Sequence, residues 1–355
     1  MSRPQFHLLT VTERTPEGED AVAVTFAVPA ALAAAFRYKA GQFLTLRRRL
    51  DGEELHRSYS LCSAPHEQRW TIGIREIPNG VFSRWANREL QVGDRIECMP
   101  PDGLFCPPAV AEPARHYVFF AIGSGITPCL SIIKDKLATE PGSHVTLIYG
   151  NRRASTMMFR EELEGLKNRH LDRFALHGVF SRETQDIALY HGRLDGARIR
   201  EFLTRLIPPA TIDLALLCGP AQMLEEGEVA LREAGLSEAQ ILIERFGDGG
   251  MTAVRDEVPT QQSATVMVVI DGVQREIQLH DAELSILDAA RAAGLDLPFS
   301  CKSGVCATCR ARVLEGEVHM RRNFALLKSD LRAGIVLACQ ARPLTPRVVL
   351  SFDDR

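Results

Sequence analysis

Four cysteines stand apart by their spacing. Cys301, Cys306 and Cys309 read C-x4-C-x2-C, and Cys339 follows thirty residues later. Three thiolates on one tight loop with a fourth from a distant segment is the spacing of a plant-type [2Fe–2S] cluster. Structural zinc prefers two C-x2-C pairs or added histidines, and only one such pair is present. The run from Pro298 to Cys309 is rich in small residues, which let backbone N–H groups approach the sulfurs and tune the cluster.

A second group is Arg57-Ser58-Tyr59-Ser60. An Arg can neutralise a pyrophosphate, a Tyr ring can stack on an isoalloxazine, and a Ser hydroxyl can hydrogen-bond the flavin nitrogen that receives hydride. An edge strand with a buried Tyr reads the same way. Further on, Gly80-Val81-Phe82-Ser83 precedes a helical segment, Arg84–Arg88. Ser83 is expected at its N-cap, where free N–H groups hold a phosphate or simply end an ordinary helix.

A third group suits a dinucleotide. Gly123-Ser124-Gly125-Ile126-Thr127-Pro128 follows an apolar strand and opens a helix. Glycines admit a pyrophosphate to the backbone, and Pro fits a first helical turn. Gly150-Asn151-Arg152-Arg153 carries no acidic residue to take a ribose 2′-hydroxyl, while Ser181-Arg182 and Tyr190 suit a 2′-phosphate and an adenine. NADPH is therefore expected over NADH, although each of these arginines could be a solvated loop charge. Cys218-Gly219-Pro220 ends another strand. There Cys218 either contacts the nicotinamide or fills the core as a small hydrophobe.

The elements that must carry these groups fall into three regions. Residues 1–112 show short alternating runs (21–28, 42–46, 70–75) split by turn signals, the pattern of an antiparallel β-barrel. Over 113–247, apolar strands (117–122, 144–149, 174–180, 213–218, 241–246) alternate with helical segments such as 159–167 and 221–234, which predicts a parallel sheet covered on both faces. Residues 248–262 are polar, contain Gly249-Gly250 and Pro259, and read as a linker. Residues 263–355 begin with runs 265–270 and 275–279 around Asp271-Gly272, a hairpin signal, then a helix over 286–293 that stops at Gly294.

Composition narrows the alternatives. Apolar residues make up 45% and charged residues 25%, as in ordinary globular proteins. A net charge of −3 argues against nucleic acid or an anionic membrane as partner. The most apolar stretch, 117–133, is interrupted by Gly123, Gly125 and Pro128 and is too broken to span a bilayer. Nine cysteines, an odd number, with no leader-like start over residues 1–10, argue against a disulfide framework and lead us to expect a cytoplasmic protein.

The order Arg57-x-Tyr59-Ser60, Gly80–Ser83, Gly123–Pro128, Ser181-Arg182 and Cys218-Gly219-Pro220, with the cysteine loop last, resembles the ferredoxin–NADP⁺ reductase superfamily fused to a plant-type ferredoxin. Longer strings, among them 147–152 (LIYGNR), 155–160 (STMMFR), Glu244-Arg245-Phe246 and 304–309 (GVCATC), resemble the reductase subunits of phenylacetyl-CoA epoxygenase complexes. The resemblance implies FAD on the barrel, NADPH on the α/β domain and a β-grasp [2Fe–2S] ferredoxin domain. It also implies delivery of electrons to a di-iron oxygenase. By the same resemblance Arg57 holds the FAD pyrophosphate, Tyr59 stacks on the flavin, and Ser60 sits near its reactive nitrogen. Thr127 and Cys218 flank the nicotinamide. The superfamily's plant members end in an aromatic residue covering the flavin; here the reductase module runs on past Phe246, the candidate for that role.

Overall fold

The computed structural model describes residues 5–109, 114–247, 263–281, 284–326 and 328–354. The expected linker, 248–262, lies outside them, as does the junction expected between 112 and 113.

Strands β1 (His7–Glu17), β2 (Ala21–Ala27), β3 (Phe43–Leu50), β4 (Glu53–Ser60), β5 (Trp70–Arg75) and β6 (Arg95–Cys98) form one sheet in the order β4-β3-β6-β1-β2-β5. Where pairings are resolved they are antiparallel. The sheet curls until Leu61, just past β4, bridges Ile72 of β5. Alternation drives the curl: Leu9, Val11, Val24, Phe26, Leu44, Leu46, Ile72 and Ile74 turn inward to one buried core. Helix α1 (Val81–Arg88) caps this core with Phe82 and Trp85.

The chain then alternates: β7 (His116–Ile122), α2 (Ile126–Thr139), β8 (His144–Asn151), α3 (Arg160–Arg169), β9 (Phe174–Phe180), α4 (Gly196–Arg205), β10 (Leu214–Cys218), α5 (Ala221–Glu233) and β11 (Ile241–Glu244). The five strands run parallel in the order β11-β10-β7-β8-β9. Val118, Phe119 and Phe120 are fully buried, as a strand covered on both faces requires. Barrel and parallel sheet share one core, since Ala21, Ala23, Ala40 and Phe105 pack with Tyr117, Phe119 and Tyr149. Both belong to one compact unit, His7–Leu55 with Tyr59–Phe246.

The other unit takes in Phe6, His56–Ser58 and the chain from Gly247 onward. Its five-stranded sheet runs β13 (Val273–Leu279), β12 (Ala264–Ile270), β18 (Arg347–Ser351), β14 (Arg310–Glu315), β16 (Ile335–Leu337). Beside it lie a two-stranded ribbon, β15 (Val318–Met320) with β17 (Ala341–Pro343), and the helices α6 (Ile286–Ala292) and α7 (Lys328–Arg332). The β12–β13 turn uses Asp271 at φ 52° and Gly272 at φ 71°, left-handed backbone at both central positions, which is why the Asp-Gly pair marks it.

Candidate functional site

The parallel sheet changes direction between β7 and β10. Successive strands β7, β8 and β9 step one way, and the chain then returns to add β10 and β11 on the other side. Crevices at such switch points receive ligands at the carboxyl ends of the strands. The glycine turn stands there. Gly123 takes φ +56°, and a Cβ on it would meet the Arg75 guanidinium at 2.6 Å. A Cβ on Gly125 would run into the Cys218 carbonyl oxygen, so only glycine lets the turn lie on the end of β10. Thr127 is buried and donates through Oγ1 to the Ser124 carbonyl at 3.0 Å. Cys218 is fully buried, and burial pushes its thiol well above the ordinary range. It sits in the sheet as a neutral, polarisable side chain. Gly219 follows it, packed on Ile122 and the Met223 side chain.

The 2′-phosphate candidates come from neighbouring strand ends. Arg182 N–H donates to the Arg152 carbonyl at 2.9 Å, and Ser181 N–H donates to the Asn151 carbonyl at 3.0 Å, so the loops after β8 and β9 run side by side. Arg152 is half exposed with Asp20 at 3.6 Å, and Arg182 is exposed. Tyr190 is half-buried, its ring offset-stacked on His177 at 5.8 Å and 8° and its hydroxyl 3.2 Å from His177 Nδ1. Burial lowers the His177 pKa, with Lys167 adding to the effect.

Asp20, Arg75, Asn151 and Glu244, to which the sequence pattern assigned no role, join this crevice, and Phe246 lies near them. Arg75, whose guanidinium lies against Gly123, pairs with Asp20 at 3.0 Å and donates to the Thr156 carbonyl. Asn151 is buried at the end of β8, on the same strand face as Tyr149, whose hydroxyl donates to the Gly123 carbonyl at 2.9 Å. Glu244 is paired in register with Cys218. It keeps some accessible surface yet is enclosed by protein, and burial pushes its carboxyl up to about 8. Phe246, two residues on, packs half-buried against the shared core.

The flavin candidates line β4 and α1. Arg57 is exposed, Tyr59 half-buried with its ring 5.8 Å from Phe82, and Ser60 buried. The helix after Gly80 starts earlier than expected: Gly80, not Ser83, is the N-cap, and α1 begins at Val81. Ser83 lies inside the first turn and accepts from the Ile77 N–H at 3.2 Å. A Cβ on Gly80 would strike both Ser83 Oγ and the Ile77 side chain, so only glycine fits at this helix start, where no side chain caps the backbone.

In the second unit the cysteines stand in two pairs. Cys301 shares a thiol contact with Cys306, and Cys309 shares one with Cys339. Two pairs suit two irons; among the described residues no three His, Cys, Asp or Glu side chains converge as on a single ion. The Cys306 contact and the Ser303 and Val305 N–H groups favour the Cys301 thiolate, and Ser303 N is 3.4 Å from its sulfur. Gln340 Nε2 lies 3.4 Å from Cys339 Sγ. Lys302, Gly304 and Ala307 take left-handed φ of 54°, 80° and 53°, and the coiled loop turns the Ser303 and Val305 N–H groups toward Cys301. The loop therefore fits a [2Fe–2S] cluster held by Cys301, Cys306, Cys309 and Cys339.

Residues 8–106 match the oxidoreductase FAD-binding domain, 119–228 the oxidoreductase NAD-binding domain, and 268–344 the 2Fe-2S iron-sulfur cluster binding domain. The chain is 44% identical over 350 residues to one subunit of the 1,2-phenylacetyl-CoA epoxidase of Escherichia coli (strain K12), covering 99% of this chain and 98% of that one. The chain belongs to the FAD- and [2Fe–2S]-dependent reductases of oxygenase systems. The reductase is also 32% identical to the ferredoxin reductase component of a Rhodococcus rhodochrous 3-ketosteroid-9-alpha-monooxygenase, covering 97% of this chain and 96% of that one. Its fold matches phthalate dioxygenase reductase with a TM-score of 0.60 at 22% identity, covering 98% of each chain. The reductase is thus an NAD(P)H-dependent oxidoreductase whose cofactors are FAD and a [2Fe–2S] cluster. Among the described residues no helix is long and apolar enough to cross a membrane.

Proposed function

We propose that this reductase takes electrons from NADPH and delivers them, through FAD and the [2Fe–2S] cluster, to a di-iron oxygenase that epoxidises phenylacetyl-CoA. The observation that carries the proposal is the near-complete, 44% identical alignment with the epoxidase component, which runs through all three cofactor-binding regions. Bound FAD accepts two electrons as hydride and releases them singly, as a one-electron cluster requires.

The chain's own residues do the positioning. The turn Gly123–Gly125 and Thr127 seat the dinucleotide, with Cys218, Gly219 and Glu244 beside its nicotinamide. Arg152, Ser181 and Arg182 select the 2′-phosphate, and Tyr190 lies beside the adenine. Arg57, Gly80 and Ser83 hold the FAD phosphates, Tyr59 and Phe246 flank the ring, and Ser60 hydrogen-bonds it. Functionally the chain divides at 1–112, 113–247 and 263–355, joined by 248–262, and works in the cytoplasm.

Reconstitution tests the proposal. NADPH, dioxygen, phenylacetyl-CoA, this reductase and a phenylacetyl-CoA oxygenase component should yield one epoxide and one water for each NADPH and dioxygen consumed. Turnover with a 3-ketosteroid oxygenase and none with the phenylacetyl-CoA oxygenase would replace the partner while leaving the reductase chemistry standing.

A further inference from the structure

The unit that carries the cysteines draws on a segment from far earlier in the chain. Residues His56–Ser58 of β4 group with it. The His56 imidazole stacks on the Phe299 ring, with centroids 4.1 Å apart and planes 14° from parallel. Its Nδ1 is 3.0 Å from the Phe299 carbonyl oxygen. Phe6 meets the same imidazole edge-on at 5.1 Å. One residue further along the loop, Ser300 Oγ is 2.7 Å from Ser58 Oγ. Phe299 also receives the Arg291 guanidinium at 4.2 Å from its ring centroid. His56, Phe299 and Ser300 are all nearly inaccessible to solvent, at 2%, 4% and 3% exposure.

Ordinary packing would fill the His56 position with an apolar ring at lower desolvation cost, since a buried polar group must find a partner. Here the partner is a loop carbonyl, and the next loop residue, Ser300, is held by a second, partly buried hydrogen bond to Ser58. Two consecutive polar anchors fix the peptide that enters Cys301. Alternation along β4 puts His56 and Ser58 on one face, so both anchors come from a single strand edge and are distinct from Arg57 and Tyr59. Hydrogen bonding at the ligating sulfurs and exclusion of water are the levers that set a cluster's potential.

We propose that His56 and Ser58 are positioning residues for the iron–sulfur cluster: through Phe299 and Ser300 they fix Cys301, keep water from it and set the cluster's reduction potential. The proposal rests on Cys301, Cys306, Cys309 and Cys339 being the cluster ligands.

The test uses the full-length, cluster-loaded protein and four variants. Ser58→Ala removes the hydroxyl anchor and Ser58→Thr restores it. His56→Ala removes ring and hydrogen bond, and His56→Phe keeps the stack alone. Iron per chain, the electron paramagnetic resonance of the reduced cluster and its midpoint potential are measured for each. Ser58→Ala and His56→Ala should keep full iron and shift the one-electron equilibrium about tenfold, roughly 59 mV. The shift should be positive, because admitted water favours the more negatively charged reduced state. Ser58→Thr should return to the parent value, and His56→Phe should fall between parent and His56→Ala. Unchanged potential and spectrum in Ser58→Ala and His56→Ala, with full iron, would reduce both residues to packing and overturn the proposal. Should His56→Ala fail to fold, the Ser58 pair decides alone. An iron-free parent protein would instead overturn the cluster assignment beneath it.

Discussion

Replacing Gly125 by Ala tests whether the glycine turn is seated on the end of β10 as described. The added Cβ would collide with the Cys218 carbonyl, a backbone atom that cannot rotate away. Cys218 is itself clamped between Ala121 of β7 and Glu244 of β11 in the parallel ladder and is fully buried. The turn must therefore move. Forcing a methyl into such a site costs about 1–3 kcal/mol. In a unit of this size each kcal/mol lowers Tm by roughly 2–4 °C, so a fall of about 2–12 °C is expected. The displaced N–H groups should also lose dinucleotide affinity, and each 1.4 kcal/mol lost there raises KM about tenfold. The assay is flavin bleaching by NADPH in rapid mixing, with dithionite as a reductant that bypasses the crevice. Slower or weaker reduction by NADPH, normal reduction by dithionite and a lower Tm are predicted. An unchanged KM together with an unchanged Tm would refute the seating of the turn against β10.

Three further outcomes follow from the same structure. Arg182→Ala should raise KM for NADPH by about tenfold to a hundredfold and leave NADH nearly unaffected, since one charge-assisted contact is worth roughly 1.5–3 kcal/mol; steady-state kinetics with both nucleotides checks it, and equal losses with both would remove the 2′-phosphate role. Glu244, with an ordinary value near 4.5 raised by burial to about 8, holds a proton when folded that the unfolded chain releases, so its burial costs stability progressively as pH rises from about 4.5 to 8. Glu244→Gln should accordingly gain thermal stability relative to the parent at pH 9 and none at pH 4, and a constant Tm difference across that range would contradict the burial argument. Cys306→Ser should strip or badly weaken the cluster while flavin reduction by NADPH proceeds normally, read as loss of iron; retention of the full two irons per chain would exclude Cys306 as a ligand.

What the sequence disclosed depended on how local each feature is. The cluster loop was readable because three of its four ligands, Cys301, Cys306 and Cys309, lie within nine residues and their small neighbours serve the same loop. The β12–β13 hairpin was readable because Asp271-Gly272 sits where both central residues need left-handed backbone. The strand–turn–helix at Gly123 was readable as a junction, but not that Gly125 abuts Cys218, since that contact joins strands distant in sequence. Arg75 and Asp20 escaped notice for a related reason. They reach Gly123 and Arg152 only because barrel and parallel sheet share one core, which periodicity within either does not record. Ser83 looked like a cap because capping residues are recognised by type, yet Gly80 can start the helix and the Ser83 hydroxyl turns back to Ile77. His56 carried no motif at all; its partner lies 243 residues away.

Electrons are proposed to leave through the cluster. The most direct measurement mixes NADPH anaerobically with Cys306→Ser reductase and the oxygenase component, following flavin bleaching and oxygenase reduction together. Flavin should bleach at the parent rate while the oxygenase stays oxidised. Reduction of the oxygenase as fast as with the parent protein would contradict the order nicotinamide, flavin, cluster, oxygenase.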